Sequence, residues 1–162
     1  MRPLILPLGL LAAACAAQTP PPSPASAPAS PAASSSAKTL IADRAAFERL
    51  LGNSGVTLQW IDWDERGELA ADYSTDLLRL HGGQRAAAPA QGALTLDGVV
   101  TRVDADSFTF VGRIDITDTP DAGRDCQREG EMTFAITQNR KYWRLQQMEV
   151  CDGLTDYVDI YF

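Results

Sequence analysis

The stretch SFTFVGRIDIT, residues 107–117, decides the fold. Phe108, Phe110, Gly112, Ile114 and Ile116 fall on one face, and Ser107, Thr109, Val111, Arg113 and Asp115 on the other. That period of two marks a half-buried antiparallel strand. Its partner is residues 93–103, reached through a turn at Asp104-Ala105-Asp106. In the partner the apolar phase slips: Leu94 and Leu96 are even, Val99 and Val103 odd. Asp97-Gly98 sits at the slip and predicts a β-bulge there, with a tight Asp-Gly hairpin as the alternative.

More short strands follow on the C-terminal side. Met132, Phe134 and Ile136 share a face, and Gln138-Asn139-Arg140 separates them from a run over 142–150. The last strand spans 156–162, with Val158, Ile160 and Phe162 inward and Tyr157, Asp159 and Tyr161 outward. On the N-terminal side, Asp43 can cap a helix carrying Ala46, Phe47, Leu50 and Leu51 at helical spacing, and Gly52 can close it. Val56, Leu58 and Trp60 then alternate. A short strand over 77–80 is expected to end at His81-Gly82-Gly83, with loop over 84–92. About seven or eight short strands with turns between them predict a mainly β body, an antiparallel barrel or sandwich with one N-terminal helix.

The chain has 162 residues and a formal net charge of −7, with 14 Lys+Arg, 21 Asp+Glu, one His and three Cys. The acidic balance and the lack of a basic run exclude nucleic acid as the expected partner. One His and three Cys cannot build a zinc site of the usual kind, and no cofactor is expected. Cys126 and Cys151 are the only cysteines after residue 38. A secreted chain meets an oxidising compartment, so these two are expected to pair. Neither lies in a CxxC motif, which leaves a redox role as the weaker alternative.

Four constellations could carry chemistry. Asp115, Asp118, Asp121 and Asp125 make an oxygen-rich segment, but their spacing is not that of an EF-hand, and a solvated loop with Pro120 and Gly123 accounts for it. Asp62, Asp64, Glu65 and Glu68 stand beside Trp60 and Trp63, as glycosidase carboxylates do beside aromatics. An acidic turn reads the same way. His81 is the only histidine a catalytic triad could use, yet no nucleophile elbow accompanies it. Tyr142, Trp143, Tyr157 and Tyr161 could form an outward aromatic strip and are the candidate binding surface. None of these sets makes a catalytic site, so the chain is expected to be non-enzymatic.

Residues 1–14, MRPLILPLGLLAAA, have a positive start, a short apolar run and small residues at the end, the pattern of a secretory signal. The run is too short to remain as a membrane-spanning helix. Leu11-Ala12-Ala13-Ala14-Cys15 resembles the lipobox of bacterial lipoprotein precursors. That resemblance implies diacylglycerol on the Cys15 thiol, cleavage before Cys15 and a fatty acyl chain such as palmitate on its amine. Ala16, rather than Asp, implies sorting to the outer membrane. Residues 15–38 read as the lipidated Cys and a Pro/Ala/Ser-rich tether, with Pro20, Pro21, Pro22, Pro24, Pro28 and Pro31 and nothing able to build a core. Residues 39–162 then form a single β-rich domain.

The segment RKYWRLQQMEVCDGLTDYVDIYF, residues 140–162, resembles the ends of uncharacterised secreted or lipid-anchored bacterial proteins. The expected protein is an outer-membrane lipoprotein, held by the lipid on Cys15 and facing the periplasm, whose β-domain binds an envelope component. The alternatives are a small barrel binding a hydrophobic small molecule and an inhibitor of an external hydrolase. An outer-membrane barrel is not expected, because most strands are too short.

Overall fold

The structure is a computed structural model and describes residues 38–162. The signal segment, Cys15 and all of the tether but Lys38 lie outside the described residues. The elements are β1 (Leu40–Ile41), α1 (Arg44–Leu51), β2 (Val56–Leu58), β3 (Asp62–Asp72), β4 (Leu78–Arg85), β5 (Ala93–Val103), β6 (Ser107–Thr117), β7 (Asp125–Ala135), β8 (Tyr142–Leu145) and β9 (Val158–Tyr161).

Strands β2 to β9 form an antiparallel meander, and β9 pairs back with β2, so the sheet closes into an eight-stranded barrel. Closure leaves no exposed sheet edge between first and last strand. β1 is a short parallel addition to β5, pairing with Arg102 and Val103, beyond Val100, which pairs with the first residue of β4, Leu78. The helix forms as read: the Asp43 carboxylate accepts from the Ala46 N–H at 2.7 Å, and Phe47 and Leu50 are buried against the barrel.

The lumen is apolar and filled. Phe108 and Phe134 stack at 5.0 Å, Phe110 meets Phe134 edge-on at 6.2 Å, and Trp143 meets Phe108 edge-on at 5.7 Å. Leu58, Leu80, Leu94, Leu96, Ile114 and Ile116 complete this packing. The outer wall is polar, the reverse of a membrane-spanning barrel. One end is closed by α1 and Phe162, whose ring lies 4.4 Å from Trp143. The other is closed by the turn at 59–61 and the loops over 118–124 and 146–157, and there the Cys126–Cys151 disulfide ties β7 to the last loop.

Several expectations are corrected. The slip in β5 is not at Gly98. That residue stays in register with Gly112, and the bulge falls between Val100 and Arg102. There the Thr39 hydroxyl donates to the Val100 carbonyl at 2.6 Å, satisfying the bulged backbone. Gly98 instead makes room for an aromatic ring. The Phe110 ring crosses it and Gly112, and a Cβ on Gly98 would meet Phe110 Cζ at 2.6 Å. β4 runs through His81-Gly82-Gly83 to Arg85, because these glycines let β3 and β5 approach closely. The acidic segment at 62–68 is not a turn but most of an 11-residue strand, β3. Its first half is exposed on both faces, so no alternation marks it. β8 is shorter than expected, ending at Leu145 rather than Val150.

Candidate functional site

The site is built on the outer face of β8, β9 and β2. Along β9 the inward residues are Val158 and Ile160, so Asp159 and Tyr161 must point out. Opposite them on β8 stand Arg144 and Tyr142. Opposite Asp159 on β2 stands Thr57, also outward and buried. An outward residue can be buried only if larger side chains cover it, and here aromatic rings and arginines do so.

Arg144 donates to both oxygens of Asp159, from Nε at 2.7 Å and from Nη2 at 2.6 Å. Its guanidinium lies 4.0 Å from the Tyr157 ring centre, 5.2 Å from Tyr142 and 5.9 Å from Trp63. Tyr142 and Tyr161 pair at 5.2 Å. Arg66, on β3, lies over Tyr161 at 4.1 Å, and Arg140 over Tyr142 at 5.6 Å. Trp63 reaches Tyr157 at 6.4 Å and is 45% exposed, the most exposed aromatic of the set. The result is one continuous row, Trp63–Tyr157–Arg144–Tyr142–Tyr161–Arg66, with Arg140 at its flank. Each stacked guanidinium gains a favourable cation–π contact and keeps free N–H groups at its rim.

The electrostatics of the row are unusual. Burial pushes the Asp159 carboxyl above its ordinary value, and the Arg144 fork offsets this only in part. Arg144 is raised, chiefly by its hydrogen bonds to Asp159. The pair is desolvated, but water reaches its aromatic rim.

The predicted site residues are distributed as follows. Tyr142, Tyr157 and Tyr161 share this wall. Trp143 does not: it is fully buried in the lumen, because neighbours along a strand face opposite ways. His81 is exposed on β4, paired with Ala70 and Asp97. Asp62 accepts from the N–H groups of Asp64 and Glu65 and so shapes the start of β3. Trp60 points elsewhere, donating to Asp156. In the acidic loop, Asp118 accepts from the Gly123 N–H and Asp115 pairs with Arg113. Among the described residues, no three His, Cys, Asp or Glu side chains converge as a metal-ligand set. Cys126 and Cys151 are bonded, with Cα atoms 5.8 Å apart. Cys15 lies outside the described residues.

A second polar cluster is not foreshadowed by any of the four constellations. Asp156 is fully buried at the disulfide end of the barrel. It accepts from Trp60 Nε1 at 2.9 Å, from Arg124 at 3.0 Å on each oxygen, and from Arg128 at 2.5 Å. Burial would raise this carboxyl, but the bonds from Arg124, Arg128 and Trp60 outweigh it and hold it below its ordinary value. The even-numbered phase that Asp156 shares with Val158, and Arg128 with Cys126, is the available sequence signal.

Residues 38–162 match the PM1083 family over the whole described body. The chain belongs to the PM1083 family. It is 36% identical over 116 residues to an uncharacterised protein, PM1083, of Pasteurella multocida strain Pm70, covering 70% of this chain and 74% of that protein. No solved structure matches. The PM1083-family match covers the described residues and does not extend to residues 1–37.

Proposed function

We propose that this PM1083-family protein is a lipoprotein, anchored in the outer membrane through Cys15, whose barrel binds an envelope component in the periplasm without catalysing a reaction. The observation that carries the reading is the row from Trp63 to Arg66 on the outer wall. Trp, Tyr and Arg are the residues that dominate binding energy at protein interfaces. Here they are clustered, half-exposed and fixed in place by stacking on one another. The lumen is filled with side chains, which weighs against a hydrophobic small-molecule carrier of the kind that needs a cavity. The anchor is supported by the lipobox-like sequence ending at Cys15. Two acyl chains on that residue suffice for stable attachment.

The test uses a photo-crosslinking amino acid placed in living cells at Trp63, with His81 on β4, outside the row, as a control. The reading predicts a discrete adduct from position 63 and none from position 81. No adduct at 63, or the same adducts from both positions, contradicts it. Separately, Cys15→Ser should release the protein from the membrane fraction. Retention of that variant in the outer membrane contradicts the anchor.

A further inference from the structure

The cations of the body are not evenly matched with carboxylates. Lys38, Arg44, Arg79, Arg102, Arg113, Arg124, Arg128 and Arg144 each stand 2.5 to 3.6 Å from one. Among the described residues, Arg49, Arg66, Arg85, Arg140 and Lys141 form no such pair. Four of these five gather around the end of β9. Arg66 lies on Tyr161, Arg140 on the adjacent Tyr142, Lys141 follows Arg140, and Arg49 stands 5.0 Å over Phe162. In a chain with net charge −7, these are cations left without a carboxylate partner on one side of the body.

The stacking also sets the geometry. A guanidinium held over a ring face keeps N–H groups at its edge, a fork that fits a carboxylate. The Arg66 Nη1 bonds to the Ser54 hydroxyl at 2.6 Å, and the Arg140 Nη2 to Gln138 Oε1 at 2.9 Å. The remaining donors of both are open to a partner.

We infer that the Tyr142–Tyr161 wall docks an acidic polypeptide segment, whose carboxylates engage Arg66 and Arg140 while an apolar side chain lies against Trp63. This rests on the proposed function and names the chemistry of its partner. An acidic glycan fits less well, because sugars stack on bare ring faces and those of Tyr142, Tyr157 and Tyr161 already carry guanidiniums. An anionic bilayer fits less well too. A flat surface would also meet Asp64, Glu65 and Glu68, all exposed beside Arg66. A slender segment can reach Arg66 and Arg140 without lying across all three.

The experiment takes the chain with Cys15→Ser and titrates it with poly-L-glutamate, following the Arg Nε–H and Trp indole signals by NMR. The inference predicts shifts at Arg66 and Arg140. Affinity should fall about tenfold or more in the Arg66→Ala/Arg140→Ala variant and stay unchanged in Arg85→Ala, with added salt weakening the parent. Absence of shifts at Arg66 and Arg140 overturns the inference, as does an equal loss in Arg85→Ala. Tighter binding of polygalacturonate or of phosphatidylglycerol vesicles than of poly-L-glutamate overturns the choice of polypeptide. The cellular adduct at Trp63 separates the two readings. If it persists in Arg66→Ala/Arg140→Ala, the wall is a binding surface but its partner is not held by these charges, and the inference fails while the proposed function stands.

Discussion

Asp156 and Asp159 are three residues apart, both carboxylates are fully buried, and both face arginine, yet they behave in opposite ways. Asp156 closes the lumen, and Arg124, Arg128 and Trp60 all donate to it. Asp159 lies in the outer wall, and Arg144 alone donates to it from a side chain. Burial opposes ionisation at both. At Asp156 the donors win and the carboxyl is held below its ordinary value; at Asp159 burial wins and the carboxyl is raised. The number of donors, not the presence of an ion pair, decides whether a buried carboxylate supports the fold.

The two therefore act in opposite pH windows. Asp156 contributes stability that is present above the unfolded carboxylate value of about 3.9 and lost as pH falls through its own lower folded value. The Asp159 contribution is full below about 3.9 and lost as pH rises through its higher folded value. At neutral pH the lumen cluster holds the barrel together, while the wall cluster is a desolvated pair retained at a cost.

The largest expected effect is at the lumen. Asp156→Ala leaves Arg124 and Arg128 buried without a counter-charge and should cost about 3 to 5 kcal/mol in urea unfolding. Arg128 already has two buried guanidinium nitrogens without partners, so its remaining bonds are the ones that keep it tolerable. Next is the staple beside it. Reducing Cys126–Cys151, 25 residues apart, should remove about 2 to 4 kcal/mol and lower the thermal midpoint. An unchanged midpoint would mean that the loop over 146–157 is held by the Asp156 cluster alone.

The wall should respond less. Arg144→Ala strands the Asp159 carboxylate and should destabilise more at pH 7 than at pH 3, where that carboxyl is protonated. The double replacement Arg144→Leu/Asp159→Val removes both charges and should change stability by about 1 kcal/mol or less. A loss as large as that of Asp156→Ala would erase the contrast between the regions. Smallest of all, Trp63→Ala should alter stability in urea unfolding by about 0.5 kcal/mol or less, since this side chain is 45% exposed.

The same contrast explains what can be read from the sequence. Elements with one buried face are legible: residues 107–117, their partner, the C-terminal strand and the capped helix all announce themselves by alternation or spacing. The cysteine pairing is legible from the count of two cysteines in residues 39–162 together with the secretory-signal pattern of residues 1–14. Elements whose reading depends on distant neighbours are not legible. Asp62–Asp72 is a strand because β4 pairs with its second half, and its exposed first half carries no periodic signal. Gly82 and Gly83 resemble a strand end, but they are places where neighbouring backbones come close. On the wall, three of the four candidate aromatics stand where the sequence suggests. Trp143 does not, since grouping it with Tyr142 runs against the rule that successive strand residues face opposite ways. Arg144, Arg66 and Asp159, which bind the row together, come from three strands and show no local pattern.

The comparison is tested most directly by a side-chain carboxyl NMR titration of Asp156 and Asp159 in the same sample. Asp156 is expected to titrate below the ordinary aspartate range and Asp159 above it. If both titrate below, the Arg144–Asp159 pair is another brace of the fold, and the contrast between the two carboxylates fails.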